Sequence, residues 1–264
     1  MSQDINLYTD LDGFRVDIFE EKARADVVLD RPPLNIVSMQ QREQFAEVFR
    51  ALSADDRVRV IVIRSEGQNF SSGGDIKGFM AATPEKVSHL ANNIKSPELC
   101  PKPVIAAVRG YCFGVGFELS LACDFRIASD TAQFALPEQR IGMIPGSGGS
   151  IRLLHMIGMA RTKDLVMRSR RLSGRQALEW GVVIDCVPDD ELEATVDAFV
   201  QELVEFSPLA QRTIKQVLNT AEDATLHVGI EMEGLAYGRL RMSNDFAEGV
   251  ESFHAKRKPS WTGS

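Results

Sequence analysis

The sequence predicts an α/β layered core followed by an all-helical C-terminal segment. Over the first ~190 residues, short β-branched or alternating runs take turns with stretches of helical periodicity, the pattern of strands covered by helices. From Asp189 onward no convincing strand pattern occurs, and apolar residues recur at helical spacing. The shift in composition near residues 190–207 predicts a core over residues 1–206 and a helical region over residues 207–264.

Taken in order, residues 14–19 alternate and residues 25–30 follow after a charged turn, which reads as a hairpin. Arg31-Pro32-Pro33 ends the second strand. Ser38 is placed to cap a helix running to about Leu52, with Phe45, Val48, Phe49 and Leu52 on one face. Residues 58–63 form a β-branched run, read as a buried strand, and residues 69–78 a Ser/Gly loop. Residues 104–108 are a second buried strand, leading through a Gly-rich stretch into a helix that carries Glu118. Short strands are expected at 124–128 and 132–135, and helices at 147–156 and 162–170. Ser173 caps a short helix closed by Gly181 at its C′ position, and residues 182–187 return as a strand. Helices then follow to about Glu205, over 209–219 behind the Ser207-Pro208 cap, over 224–241 and over 243–253.

Bulk properties narrow the function classes. A chain of 264 residues with 44% hydrophobic and 25% charged residues can bury a large core. A formal net charge of −7 argues against binding driven by nucleic-acid phosphates. The apolar runs fall well short of the ~20 residues a membrane span needs. Residues 1–6 lack a charged region followed by an apolar one, so no leader is expected. Cys100, Cys112, Cys123 and Cys186 form no CxxC pair and read as reduced, packed thiols, which implies a cytoplasmic protein. The histidines are scattered without metal-ligand spacing, and no internal repeat of fixed period occurs.

Two glutamates stand out against this background. Glu118 lies in the nearly apolar run from Gly110 to Cys123, and Glu138 in Phe134-Ala135-Leu136-Pro137-Glu138. Glutamate is almost never fully buried unless paired or used, and an unpartnered buried carboxylate costs several kcal/mol. Two carboxyls in two buried segments point to paired acid/base chemistry.

The glycines beside them do not spell a nucleotide site. Gly114 and Gly116 supply two positions of a G-x-G-x-x-G fingerprint, but Leu119 occupies the third. The cluster from Gly142 to Gly149 lacks the Gly-Lys-Ser/Thr of a phosphate loop. The glycines are better suited to aiming backbone N–H groups. A helix starting near Val115 presents unpaired N–H donors, and Ser71-Ser72-Gly73-Gly74-Asp75 offers a second donor. Two donors facing one point make an oxyanion hole; glycines alone more often mark a tight turn with no ligand.

Taken together, these segments resemble the enoyl-CoA hydratase/isomerase (crotonase) superfamily, hydratase-like branch. The resemblance runs from Phe14 to Trp261 through Phe70-Ser71-Ser72-Gly73-Gly74-Asp75-Ile76-Lys77, Lys102-Pro103-Val104-Ile105-Ala106-Ala107-Val108-Arg109-Gly110 and Gly114-Val115-Gly116-Phe117-Glu118-Leu119. It continues through Ala122-Cys123-Asp124, Phe134-Ala135-Leu136-Pro137-Glu138, Gly142-Met143-Ile144-Pro145-Gly146-Ser147-Gly148-Gly149 and the tail from Glu248 to Arg257. One segment alone is weak; all of them in family order are specific.

The resemblance implies a spiral of ββα turns with a helical C-terminal subdomain, residues 207–264 serving oligomerisation as a trimer or a dimer of trimers. It implies an acyl-CoA substrate, with coenzyme A as part of the substrate, no separate cofactor and no metal. The oxyanion donors become the backbone N–H groups of Gly74 and Val115, and Glu118 and Glu138 the catalytic pair. Glu118 would activate water for attack on C3 and Glu138 would protonate C2. Ser72, Gly73, Asp75, Ile76, Lys77, Phe253 and Lys256 become substrate or CoA contacts, Lys256 near the phosphates. The family commonly has glycine where this chain has Val115; the N–H survives, while the isopropyl group is expected to narrow or reshape the pocket, and any need for φ > 0 would be strained.

The implied activity is hydration of a 2-enoyl-CoA to a 3-hydroxyacyl-CoA. Isomerases of the family often lack the first glutamate, so Glu118 separates hydratase from isomerase. Specialised members, such as cyclic dienoyl-CoA hydratases, thioester hydrolases and C–C lyases, remain alternatives, as does an idle acyl-CoA-binding scaffold.

Overall fold

The computed structural model describes residues 8–264; the leader expectation at residues 1–6 lies outside the described residues. Strand β1 (Phe14–Phe19) turns through a 3-10 segment, Glu20–Lys22, into antiparallel β2 (Arg24–Leu29). Helix α1 (Met39–Ala54) opens with a capping box, Ser38 and Gln41 each satisfying the other's backbone N–H. Next come β3 (Val60–Ser65) and four short helices: α2 (Ile76–Ala81), α3 (Pro84–Ser88), α4 (Ala91–Ile94) and α5 (Ser96–Leu99). They are followed by β4 (Val104–Val108), β5 (Tyr111–Phe113), α6 (Val115–Leu121), β6 (Phe125–Ser129) and β7 (Gln133–Ala135). After a 3-10 turn at Glu138–Ile141 come α7 (Gly149–Met167), β8 (Leu172–Ser173), α8 (Gly174–Glu179) and β9 (Asp185–Val187). The chain ends in α9 (Leu192–Val204), α10 (Pro208–Ala221), α11 (Leu226–Leu240) and α12 (Asn244–Ala255).

The main sheet has the order β1-β2-β3-β4-β6-β9 and is parallel from β2 onward. Its inner strands are buried on both faces, which explains the apolar runs at the start of β3 and along β4. One face, with Ile61, Ile63, Val104 and Ala106, packs under Phe45, Val48 and Phe49 of α1 and Phe117 of α6. The other, with Val60, Val62, Ile105 and Ile127, packs under Leu192, Val196 and Val200 of α9. A second layer runs alongside: Val37 bridges Gly74, Ser71 bridges Cys112, and β5 pairs with β7, all parallel. Each turn of the chain thus contributes one long strand, one short segment and a helix, which is a ββα spiral.

One expectation needs correction. Helix α2 starts at Ile76, inside the stretch read as loop, because Asp75 Oδ1 accepts the Lys77 N–H and caps it. The two helices expected at 147–156 and 162–170 are present as the two halves of α7, separated by a break at Gly158 (φ 75°, ψ 170°), which glycine allows.

The sheet's two ends have different uses. The loops after β3 and β4 carry the Gly74 and Val115 segments, while α10 covers the end where β4 and β6 begin. There the buried Lys215 Nζ donates to Pro97 O (2.8 Å), Lys102 O (2.9 Å) and Asp124 Oδ2 (2.7 Å). Burial pushes the Asp124 carboxyl up and the Lys215 charge opposes it, so Asp124 is a structural partner. Lys215→Ala strands that carboxylate and leaves two carbonyls without their donor. We expect a loss of about 3–5 kcal/mol in equilibrium urea unfolding; a midpoint within error of wild type would show that this tie does not hold α10 to the sheet.

Candidate active site

Ser71-Ser72-Gly73-Gly74 is pinned on both edges. Val37 N donates to Gly73 O (2.9 Å), Asp75 N to Val37 O (3.0 Å), Ser71 N to Tyr111 O (2.7 Å) and Phe113 N to Ser71 O (2.9 Å). Among the described residues, the Gly74 N–H has no acceptor. Gly114 adopts φ 51°, ψ −127°, which glycine tolerates, and donates its own N–H to Ala135 O at 3.0 Å. That turn leaves the Val115 N–H as the first donor of α6, without an acceptor among the described residues. The two loops touch: Gly73 Cα lies 3.6 Å from where a Cβ on Gly114 would stand. Valine at position 115 is unstrained because the positive φ falls on Gly114, and its side chain joins the buried core.

One turn into α6, Glu118 is 2% exposed. Its Oε1 accepts the backbone N–H groups of Ser147 (2.7 Å) and Gly149 (3.1 Å) at the start of α7. A Cβ on Gly149 would stand 2.8 Å from Glu118 Cγ, so glycine permits this approach. Glu138 opens the 3-10 turn after Pro137; its Oε2 is buried with no hydrogen-bond partner. Its Oε1 lies 3.1 Å from where a Gly114 Cβ would stand, so it sits at the Val115 end of the oxyanion loops. Burial pushes the Glu138 carboxyl up to about 7; a local backbone hydrogen bond opposes the rise and the Glu118 charge adds to it. A carboxyl poised there can donate or accept a proton near neutral pH.

The shift has a consequence for stability. Folded Glu138 holds its proton more tightly than the unfolded chain does, so its contribution falls as pH rises from 4.5 through about 7. Glu138→Gln removes the penalty of the buried charge. Its melting temperature should exceed that of wild type by a few degrees at about pH 8, and the gap should close on acidification. Equal melting temperatures of the two proteins at every pH would contradict the shift.

The remaining expected site residues divide. Asp75 caps α2, Ile76 and Lys77 are exposed on its first turn, and Ser72 spends its N–H on Leu34 O (2.8 Å) beside Gly73. Phe253, 81% exposed, and Lys256 lie at the end of α12. That helix is tethered to the start of α10 by Ser207 Oγ donating to Asp245 Oδ2 (2.5 Å). Among the described residues, no hydrogen bond, ion pair or ring contact joins Phe253 or Lys256 to the Gly74–Glu118 cluster.

Sequence reasoning missed Arg42 and Ser147. Arg42, on the buried side of α1, donates from Nη1 to Ser147 Oγ (3.0 Å), and its guanidinium stacks 5.0 Å from the Phe79 ring centroid. No sequence pattern marks it, since the partners lie on other turns of the spiral. Among the described residues, no group of three or more His, Cys, Asp or Glu could hold a metal, and no helix is long and apolar enough to cross a membrane.

Comparison with known proteins agrees with this geometry. The family profile described as enoyl-CoA hydratase/isomerase matches residues 20–264. Carnitinyl-CoA dehydratase of Salmonella arizonae is 37% identical over 248 residues, covering 90% of this chain and 94% of the relative. The protein of the same name from Proteus mirabilis is 33% identical over 246 residues, with 90% and 94% covered. Among solved structures, an enoyl-CoA hydratase from Bacillus anthracis superposes with a TM-score of 0.89 at 32% identity, covering 96% of this chain and 100% of that one. An enoyl-CoA hydratase/carnitine racemase from Magnetospirillum magneticum gives 0.88 at 28% identity, with 97% and 98% covered. The fold is therefore that of the crotonase superfamily, as the resemblance implied.

Proposed function

The chain belongs to the enoyl-CoA hydratase/isomerase family, and on that premise we propose that it catalyses reversible addition of water across the C2=C3 bond of a 2-enoyl-CoA thioester. One observation carries the reading. Two carboxyls in opposite settings, Glu118 buried and Glu138 half-buried, flank two adjacent backbone N–H groups that have no acceptor among the described residues.

In the mechanism this supports, the N–H groups of Gly74 and Val115 receive the thioester oxygen. Water held between the carboxyls attacks C3 as Glu118 accepts its proton. The C2=C3 electron pair moves onto the thioester oxygen as an enolate, which the two donors stabilise, and Glu138 then delivers its proton to C2. Glu118 is suited to the base because its Oε1 is held by two N–H donors that orient it as an acceptor. Glu138 is suited to the acid because burial keeps a proton on it near neutral pH. Relatives named dehydratases remove the water that a hydratase adds, and the same pair serves either direction. Loss of enoyl absorbance from crotonyl-CoA and from a panel of enoyl chain lengths, with its gain from carnitinyl-CoA in a separate arm, tests the reading. A chain inert toward every thioester would leave only an acyl-CoA-binding scaffold.

Ser72, Gly73, Asp75, Ile76 and Lys77 are proposed to line the path of the thioester and its pantetheine, since they border the Gly74 donor. Phe253 and Lys256 are proposed to meet the CoA of a neighbouring subunit in a trimer or a dimer of trimers. Support comes from the apolar face of residues 207–264: α11 buries no residue in the single chain, with Leu226 76% and Leu235 66% exposed. Lys256→Ala should then weaken acyl-CoA binding and leave kcat nearly unchanged, by titration calorimetry and steady-state kinetics. A fully active monomer at micromolar concentration in sedimentation equilibrium would refute the shared site.

A further inference from the structure

We propose that Arg42 is a positioning residue for Glu118, its buried positive charge holding that carboxylate ready to accept the proton of water. Arg42 is 2% exposed on the buried side of α1, which also carries Gln41, Phe45, Val48, Phe49 and Leu52. Burying a cation costs several kcal/mol unless it is compensated, so an apolar residue would suit packing better. Its guanidinium stands where three segments of the site meet. Nη1 donates to Ser147 Oγ (3.0 Å), and the Ser147 N–H donates to Glu118 Oε1 (2.7 Å). Nη2 lies 3.2 Å from where a Cβ on Gly74 would stand, and the Phe79 ring covers the guanidinium. Nε is buried with no partner, and among the described residues no carboxylate closes a contact ion pair with the group.

The other cation at this segment differs. Arg152 donates from Nη1 to Ser147 O (3.1 Å) but is paired with Glu98, Nη2 to Oε2 at 2.6 Å. Arg42 alone brings an unpaired positive charge. Burial pulls its guanidinium down to about 10 and the charge of Glu118 opposes that fall, so it stays cationic at neutral pH. The groups facing Glu118 are thus Arg42 from α1, Glu138 from the 3-10 turn, the Ser147 and Gly149 N–H groups, and the neutralised Arg152–Glu98 pair.

The inference rests on the hydratase reading, and its test separates the two. In Arg42→Met, similar in volume but uncharged, kcat should fall about tenfold with KM nearly unchanged, since the charge is used in the transition state rather than in binding. Arg42→Lys, which keeps the charge, should recover most of kcat. Carbon-13 NMR of labelled glutamates gives a readout independent of turnover: the carboxyl signal absent from Glu118→Gln should move in Arg42→Met and return in Arg42→Lys. If Arg42→Met does not fold, Arg42→Gln carries the same expectations. An unchanged kcat, no recovery in Arg42→Lys, an unmoved carboxyl signal, or a raised KM alone, which would place Arg42 on the acyl group, would overturn the proposal. Wild-type protein inert toward every enoyl-CoA, with the NMR shift intact, would instead refute the hydratase reading and leave the Arg42–Glu118 coupling standing.

Discussion

Glu118→Gln should lower the hydration rate by at least ~100-fold while the protein keeps its fold. The amide oxygen can still accept the Ser147 and Gly149 N–H groups, so α6 stays tied to the start of α7. What is lost is an oxygen able to take the proton of attacking water. Both kcat and kcat/KM should fall, because the interaction is made in the transition state rather than with bound substrate. Glu138→Gln should cost a similar factor for the opposite reason, since it removes the proton destined for C2. The double variant should be little worse than the less active single one, because groups that act as a unit in one reaction are not additive. Steady-state kinetics beside far-UV circular dichroism checks this. Near-normal turnover by either single variant, with normal dichroism, would remove that residue from the mechanism.

The second large effect concerns the Gly74 donor. Proline at this position deletes the N–H, and losing one oxyanion donor typically costs ~100- to 1,000-fold in rate. A simple Gly74→Pro comparison is confounded by sterics: any Cβ here would stand 2.7 Å from Phe79 Cε2 and 3.2 Å from Arg42 Nη2. The clean comparison places both substitutions in a Phe79→Leu background, which opens that space. Gly74→Ala keeps the donor and should retain most of the background activity; Gly74→Pro should lose the further factor in kcat. Equal activity of the two double variants would show that the Gly74 N–H does not bind the developing oxyanion.

Much of this was legible in the chain because the decisive signals are local. Strands β3 and β4 announce themselves as apolar runs since both their faces are covered. Ser38 and Ser173 mark helix starts because capping is decided within four residues. Glu118 and Glu138 stand out because a carboxylate conflicts with an apolar neighbourhood whatever the tertiary fold. What stayed hidden is non-local or too short to have a period. The second layer is built from segments such as Val37 and Ser71, single bridges that no alternation can reveal. The spiral shows no fixed repeat because successive turns differ in length, with α2 to α5 inserted between β3 and β4. Helices of four to six residues offer no amphipathic stripe, and only caps at Asp75 and Thr83 betray two of them. Arg42 reads as one more polar residue on a helix until Ser147, more than a hundred residues away, is brought against it.

Everything above turns on whether this site adds water at C3 and a proton at C2. Turnover of crotonyl-CoA in heavy-oxygen water, and separately in deuterium oxide, followed by mass spectrometry of the acyl-CoA, decides it. The expected product is a 3-hydroxyacyl-CoA with one heavy oxygen at C3 and one solvent deuterium at C2, both abolished in Glu118→Gln. Deuterium exchange on the acyl chain without oxygen incorporation would make the chain an isomerase, and heavy oxygen in a released carboxylic acid would make it a thioester hydrolase. Either outcome would rule out hydration as the reaction of this site.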